Sequence, residues 1–138
     1  LRCGKLTLAA LEATLRIYQQ SAGVTERIPT LRALTRPLRE VEDLGARLVP
    51  ILSELLGPEV RVTLEDGTSQ IGSGALPTEE IPTKVIAIEQ EGAGAERVGE
   101  RVRRADPPII GRIQNGRFLL DLRTVADPGD VVPHWRTT

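Results

Sequence analysis

The sequence holds no methionine, one cysteine, one histidine and three aromatic residues in 138. With Cys3 alone, no disulfide closes within the chain and no multi-cysteine metal site forms. A single histidine, His134, leaves too few ligands for a zinc site of the usual kind, so no metal is expected. Tyr18, Phe118 and Trp135 are too few to build a stacking platform for single-stranded nucleic acid. A formal net charge of −1 removes the general pull that a basic domain exerts on a polyanion. No apolar run approaches the roughly 18 residues that a membrane-spanning helix needs. Lys5 and Lys84 are the only lysines among 18 basic residues, so any lysine chemistry has two candidates. A chain that lacks methionine and begins at Leu1 is expected to be a processed product or a fragment.

What is present, 40% apolar and 27% charged residues, describes one soluble domain with a real core. Between residues 5 and 20, Leu8, Leu11, Leu15 and Tyr18 recur at spacings of three and four, which predicts a helix. Leu6, Ala10, Ala13 and Ile17 form a second stripe. A helix apolar on two sides is expected to lie buried between two layers or two domains. Thr30 is a candidate cap for a short helical turn over residues 31–35. Pro37 then opens a longer helix striped by Leu38, Val41, Leu44, Leu48, Leu52 and Leu55. Pro50 predicts a kink in it, and Gly57-Pro58 a stop.

Val60, Val62 and Leu64 alternate with polar residues as in a half-buried strand, which Asp66-Gly67 is expected to turn. Residues 69–83 read as a loop, 84–89 as a second strand and 95–104 as a polar surface helix. Asn115-Gly116 joins two strands, 109–114 and 117–125, as a type I′ hairpin. Residues 131–135 are expected to begin a last helix. The order predicts an α+β domain: a short antiparallel or mixed sheet with helices packed on it.

Several groups invite chemistry. Gly72-Ser73-Gly74 suggests a phosphate loop but lacks the Lys-Ser/Thr ending, so an ordinary loop is the stronger reading. His134 with Ser73 and an aspartate has no nucleophile-elbow context. Arg2 beside Cys3 could lower the thiol pKa, though an inert small residue is the stronger reading. The arginines carry more. Arginine takes carboxylate and phosphate through a planar fork, and Arg112 and Arg123 lie in the two predicted hairpin strands. By alternation Arg123 is expected to share a face with Asp121, exposed or paired with it.

The residues from Leu1 to Arg16, with Ile28-Pro29-Thr30-Leu31-Arg32, resemble a stretch of the bacterial L-seryl-tRNA(Sec) selenium transferases, or selenocysteine synthases. Gln70-Ile71-Gly72-Ser73-Gly74-Ala75-Leu76-Pro77 resembles that family's Gly/Ser-rich loop, followed by Ile81-Pro82-Thr83. Asp106-Pro107-Pro108-Ile109-Ile110-Gly111-Arg112-Ile113 and residues 117–125 match its end most closely. Cys3-Gly4 departs from the Val-Asp that members often carry there.

The resemblance implies a fold-type I, pyridoxal phosphate (PLP)-dependent transferase. Its cofactor lysine sits in a Gly-Asp-Lys element upstream, and neither lysine here matches it. Residues 1–138 would then be the C-terminal small domain, with no catalytic residue of its own. Residues 1–20 would be a junction helix toward the PLP-binding large domain. The implied reaction is a β-replacement on seryl-tRNA(Sec): serine loses its hydroxyl and selenophosphate supplies selenium. Arg2 matches an arginine suited to selenophosphate or the leaving phosphate. Arg123, with Arg112 as its fallback, stands where related enzymes hold a substrate carboxyl, here the aminoacyl end of the tRNA. A homo-oligomer and a cytoplasmic location follow from the same likeness. Two alternatives stay open: the small domain of a related PLP-dependent lyase acting on small amino compounds, and a non-catalytic α+β oligomerisation or binding module.

Overall fold

The computed structural model describes residues 2–20, 22–71, 80–92 and 94–134. The chain divides into two compact units, Leu1–Arg36 and Pro37–Thr138.

The first unit is helical: α1 (Lys5–Gln19), α2 (Val24–Arg27) and α3 (Pro29–Thr35). Gly4 precedes α1 in an extended conformation, and its carbonyl accepts from the Leu8 N–H at 3.1 Å. Ile28, not Thr30, stands at the start of α3, with Pro29 in its first turn where no N–H is needed. The expected burial of α1 is not met within this chain. None of its residues is buried, and Leu6 is 88% exposed.

The second unit opens with α4 (Leu38–Leu56), which Pro37 precedes. Val41, Leu44, Leu48, Leu52 and Leu56 line its buried face, while Leu38 and Leu55 stay exposed. The helix runs through Pro50, which lies on the exposed side, where water can serve the carbonyl that its ring leaves without a donor. Four strands follow: β1 (Val60–Gln70), β2 (Glu80–Gln90), β3 (Arg112–Gln114) and β4 (Arg117–Asp121), with α5 (Gly94–Arg103) between β2 and β3. They form one antiparallel sheet in the order β1-β2-β4-β3.

Alternation assigns the two faces of this sheet. Leu64, Ile86 and Leu120 share one, as do Val62, Ile88 and Phe118. That face carries α4, packed on β1 and β2, and α5, packed on β2 and β4. Gly45 lets α4 come close: a Cβ there would meet Leu64 Cδ1 at 2.3 Å. Asn115 and Gly116 both take positive φ, 53° and 72°, as the predicted type I′ turn requires.

Further expectations change. The loop expected over 69–83 gives up both ends to strands, since β1 reaches Gln70 and β2 begins at Glu80. Asp66-Gly67 does not turn the chain; it pairs with Lys84 and Thr83 inside a longer hairpin. The glycine is there for closeness, since a Cβ would stand 2.9 Å from Val85 Cγ1. The strand expected over 109–114 is only Arg112–Gln114. Ile109 is buried instead, its N–H donating to the Val102 carbonyl at 3.1 Å. The strand expected over 117–125 ends at Asp121, and Leu122–Thr124 form a 3-10 turn. In place of a last helix, a 3-10 turn at Pro128–Val131 leads to His134, whose N–H and carbonyl bridge to Asp106 at 3.2 and 2.8 Å. Gly72-Ser73-Gly74 and Trp135 lie outside the described residues.

Candidate functional site

The sheet face turned away from α4 and α5 carries Ser69, Thr83, Arg112, Arg117 and Asp121. A flat sheet with strands about 4.8 Å apart would keep β1 some 14 Å from β3, beyond an arginine's reach. Yet Arg112 Nη2, on β3, donates to the Thr68 carbonyl on β1 at 3.3 Å. The far end of the β1–β2 hairpin therefore curls over this face, a strong case of the twist that sheets adopt.

Thr68 pairs directly with Pro82 across the hairpin. Arg123 Nη2 donates to the Pro82 carbonyl. The structure thus brings Arg112 and Arg123 to the two carbonyls of one rung. Their exposures differ: Arg112 is exposed, whereas Arg123 is only 5% exposed. Arg112 also lines a cleft of about 360 Å³, with Gly111, Leu119, Asp121, Thr124 and Asp130 among its walls.

Asp121 sits beside the same rung. Its Oδ2 accepts from Ser69 Oγ at 2.5 Å, and its Oδ1 from Thr83 Oγ1 at 2.9 Å. Oδ1 also accepts from the Arg123 backbone N–H at 3.1 Å. This last bond is an Asp cap, and it explains why the strand stops here: the side chain offers the backbone an alternative to the ladder. Asp121 thus caps the Arg123 backbone, and Arg123 is buried where sequence alternation allowed an exposed residue. Ser69 has no signal in the sequence, and Thr83 enters there only through the Ile81-Pro82-Thr83 element. The Asp-x-Arg spacing at 121 and 123 was the available sign of the cap.

Across the same face, ion pairs tie β4 to β1 and β2. Arg117 Nη1 lies 2.7 Å from Glu65 Oε1 and 3.5 Å from Glu89 Oε1. The hydrogen bond from Arg117 holds the Glu65 carboxyl below the usual range, and the same bond raises Arg117.

Arg2 belongs to the first unit, exposed on the segment before α1, as is Cys3. The lysines do not fit a PLP attachment site. Lys84 Nζ stands 2.9 Å from Asp66 Oδ1 and 3.1 Å from Glu42 Oε1. Hydrogen bonds to Asp66 and then to Glu42 raise its pKa and hold the amine between two carboxylates. Lys5 is exposed at the first position of α1. Among the described residues no helix is long and apolar enough to cross a membrane.

A family model described as SelA, L-seryl-tRNA selenium transferase, matches residues 1–126. Over 135 residues the chain is 42% identical to the L-seryl-tRNA(Sec) selenium transferase of Proteus mirabilis, covering 96% of this chain and 29% of that protein. It is 46% identical over 126 residues to the protein of the same name from Serratia proteamaculans, covering 89% and 27%. The relative from Geobacter metallireducens is 42% identical over 127 residues, covering 92% and 28%. The chain thus spans less than a third of the length of these relatives. With a family match over nearly its whole length, the chain belongs to the L-seryl-tRNA selenium transferase family.

Proposed function

We propose that this chain is the C-terminal small domain of a fold-type I, PLP-dependent selenium transferase. The whole enzyme would convert L-seryl-tRNA(Sec) to selenocysteinyl-tRNA(Sec) with selenophosphate as donor. One observation carries the reading: the match over residues 1–126 to relatives that bear the name of that transfer. The relatives' additional length leaves room for a large domain carrying the cofactor lysine. The state of Lys84 is consistent with a lysine placed elsewhere. This chain alone is then not expected to turn over substrate. A cytoplasmic homo-oligomer belongs to the same reading.

When bound, PLP supplies the electron sink for loss of the serine hydroxyl. This chain's residues bind and orient. Arg2, exposed before α1, offers a permanently charged fork for selenophosphate or the departing phosphate. The exposure of Arg112 at the cleft favours it over buried Arg123 for the aminoacyl end of the tRNA. The exposed leucines of α1 suit residues 1–20 to a junction with the large domain, which would cover them.

The intact parent protein tests this. It is expected to show the visible absorbance of lysine-bound PLP, and borohydride reduction should label a lysine outside residues 1–138. A parent without a chromophore after PLP addition would remove the reading. Arg2→Ala in that parent is expected to slow selenium transfer at limiting selenophosphate by ~100-fold, the scale of losing one charge-stabilising donor. Unchanged turnover would take Arg2 out of the site.

A further inference from the structure

Three polar or charged side chains are buried among the described residues: Ser69, Thr83 and Arg123. All three residues converge on one carboxylate. Ser69 and Thr83 donate their hydroxyls to Asp121, and Arg123 donates its backbone N–H. Burying polar groups costs free energy unless their bonds are made, and a satisfied network then fixes one geometry. Three segments remote in sequence are locked at this point: the end of β1, the start of β2 and the turn after β4.

The lock coincides with the rung that holds both arginines. Ser69 is the neighbour of Thr68, whose carbonyl receives Arg112. Thr83 is the neighbour of Pro82, whose carbonyl receives Arg123. Asp121 also caps the turn from which the Arg123 side chain leaves the backbone. The carboxylate therefore fixes the place of the carbonyl on which Arg112 rests and the direction in which Arg123 departs.

We propose that Asp121 is a positioning residue for substrate binding: it holds the Thr68–Pro82 rung so that Arg112 is presented at the cleft. It acts through Ser69, Thr83 and the Arg123 backbone. The proposal rests on the reading of Arg112 as the contact for the aminoacyl end. An arginine that grips a non-reacting part of the substrate binds ground state and transition state alike. Its displacement therefore raises KM and spares kcat.

The test uses the full-length protein with seryl-tRNA(Sec) as varied substrate at saturating selenophosphate. Asp121→Ala is expected to raise KM for the tRNA by ~10-fold with kcat within about 2-fold. Asp121→Asn keeps an oxygen for the cap and is expected to restore most of the loss, a rescue that a charge in the chemistry would not allow. Ser69→Ala and Thr83→Val each remove one arm and are expected to shift KM the same way by less. They carry the test if Asp121→Ala does not fold. A lower kcat at unchanged KM, or no change in either, would overturn the proposal.

Amide hydrogen exchange on the same variants gives a readout independent of turnover. Asp121→Ala should speed exchange at residues 67–70, 83–84 and 123 while sparing α4. Unaltered exchange at those amides would also overturn the proposal. Absence of selenium transfer by the wild type itself would instead remove the functional reading, leaving exchange to decide whether the lock exists.

Discussion

Helices α1 and α4 carry the same kind of apolar stripe and meet opposite fates. Along α4, Val41, Leu44, Leu48 and Leu52 are at most 1% exposed. Along α1, Leu8, Leu11 and Leu15 are 52–54% exposed at the same spacings. Period alone marks which residues share a face. What makes a face a core is the surface brought against it. For α4 that surface is β1 and β2, and Gly45 lets the helix settle onto Leu64. The second unit is thus supported by its own sheet, and the first leaves its apolar face open within this chain.

The strongest way to break that comparison is to cut the same side chain from both helices. Leu48→Ala should destabilise the folded chain by about 3–5 kcal/mol, the transfer loss plus the cavity left in a packed core. Leu11→Ala, on the open stripe of α1, should fall within about 0.5 kcal/mol. Denaturant unfolding of this chain measures both. Equal costs would mean that the stripe of α1 is covered in solution.

Glycine sharpens the same contrast at a smaller scale. Gly45→Ala places a methyl against Leu64 and Leu122 and is expected to cost about 1–3 kcal/mol as overpacking. Gly4→Ala meets nothing nearer than Thr7 Oγ1 at 4.0 Å and should change melting little. A tolerant Gly45 would show that α4 can lift from the sheet without loss.

Legibility in the sequence divides along the same line, between local and long-range contacts. Helices α1, α4 and α5 and the Asn115-Gly116 turn follow from local period and turn chemistry, and the structure keeps them. The second half of β1 was hidden because Asp66-Gly67 is a turn signal in isolation. Only the closeness of Val85 reveals that the glycine serves packing. The last helix fails because Pro128–Val131 close a 3-10 turn and His134 bridges to Asp106, a partner far away in sequence. The site divides likewise. Arg112 and Arg123 could be named from sequence, and Asp121 as the neighbour of Arg123, but the meeting of Ser69 and Thr83 on that carboxylate could not. Its hydroxyl partners lie 52 and 38 residues away, and no local pattern encodes that meeting.

The smallest effect concerns charge, and it again sets one unit against the other. Glu12–Arg16 on α1 and Glu65–Arg117 on the sheet both close at 2.7 Å, but the first pair is 64% and 71% exposed and the second 35% and 31%. Solvent weakens the first more. Glu65→Gln should therefore lower the melting temperature at neutral pH more than Glu12→Gln does. The pH dependence follows from the lowered pKa of Glu65. Its contribution is full above the unfolded value near 4.5 and is lost as pH falls through the lower folded value. The Gln variant lacks that contribution at every pH, so its stability should fall less steeply on the acid side. Unfolding curves between about pH 3 and 7 would measure this. Parallel curves for wild type and Glu65→Gln would place the acid sensitivity in other carboxylates and leave this bridge no stronger than the open one on α1.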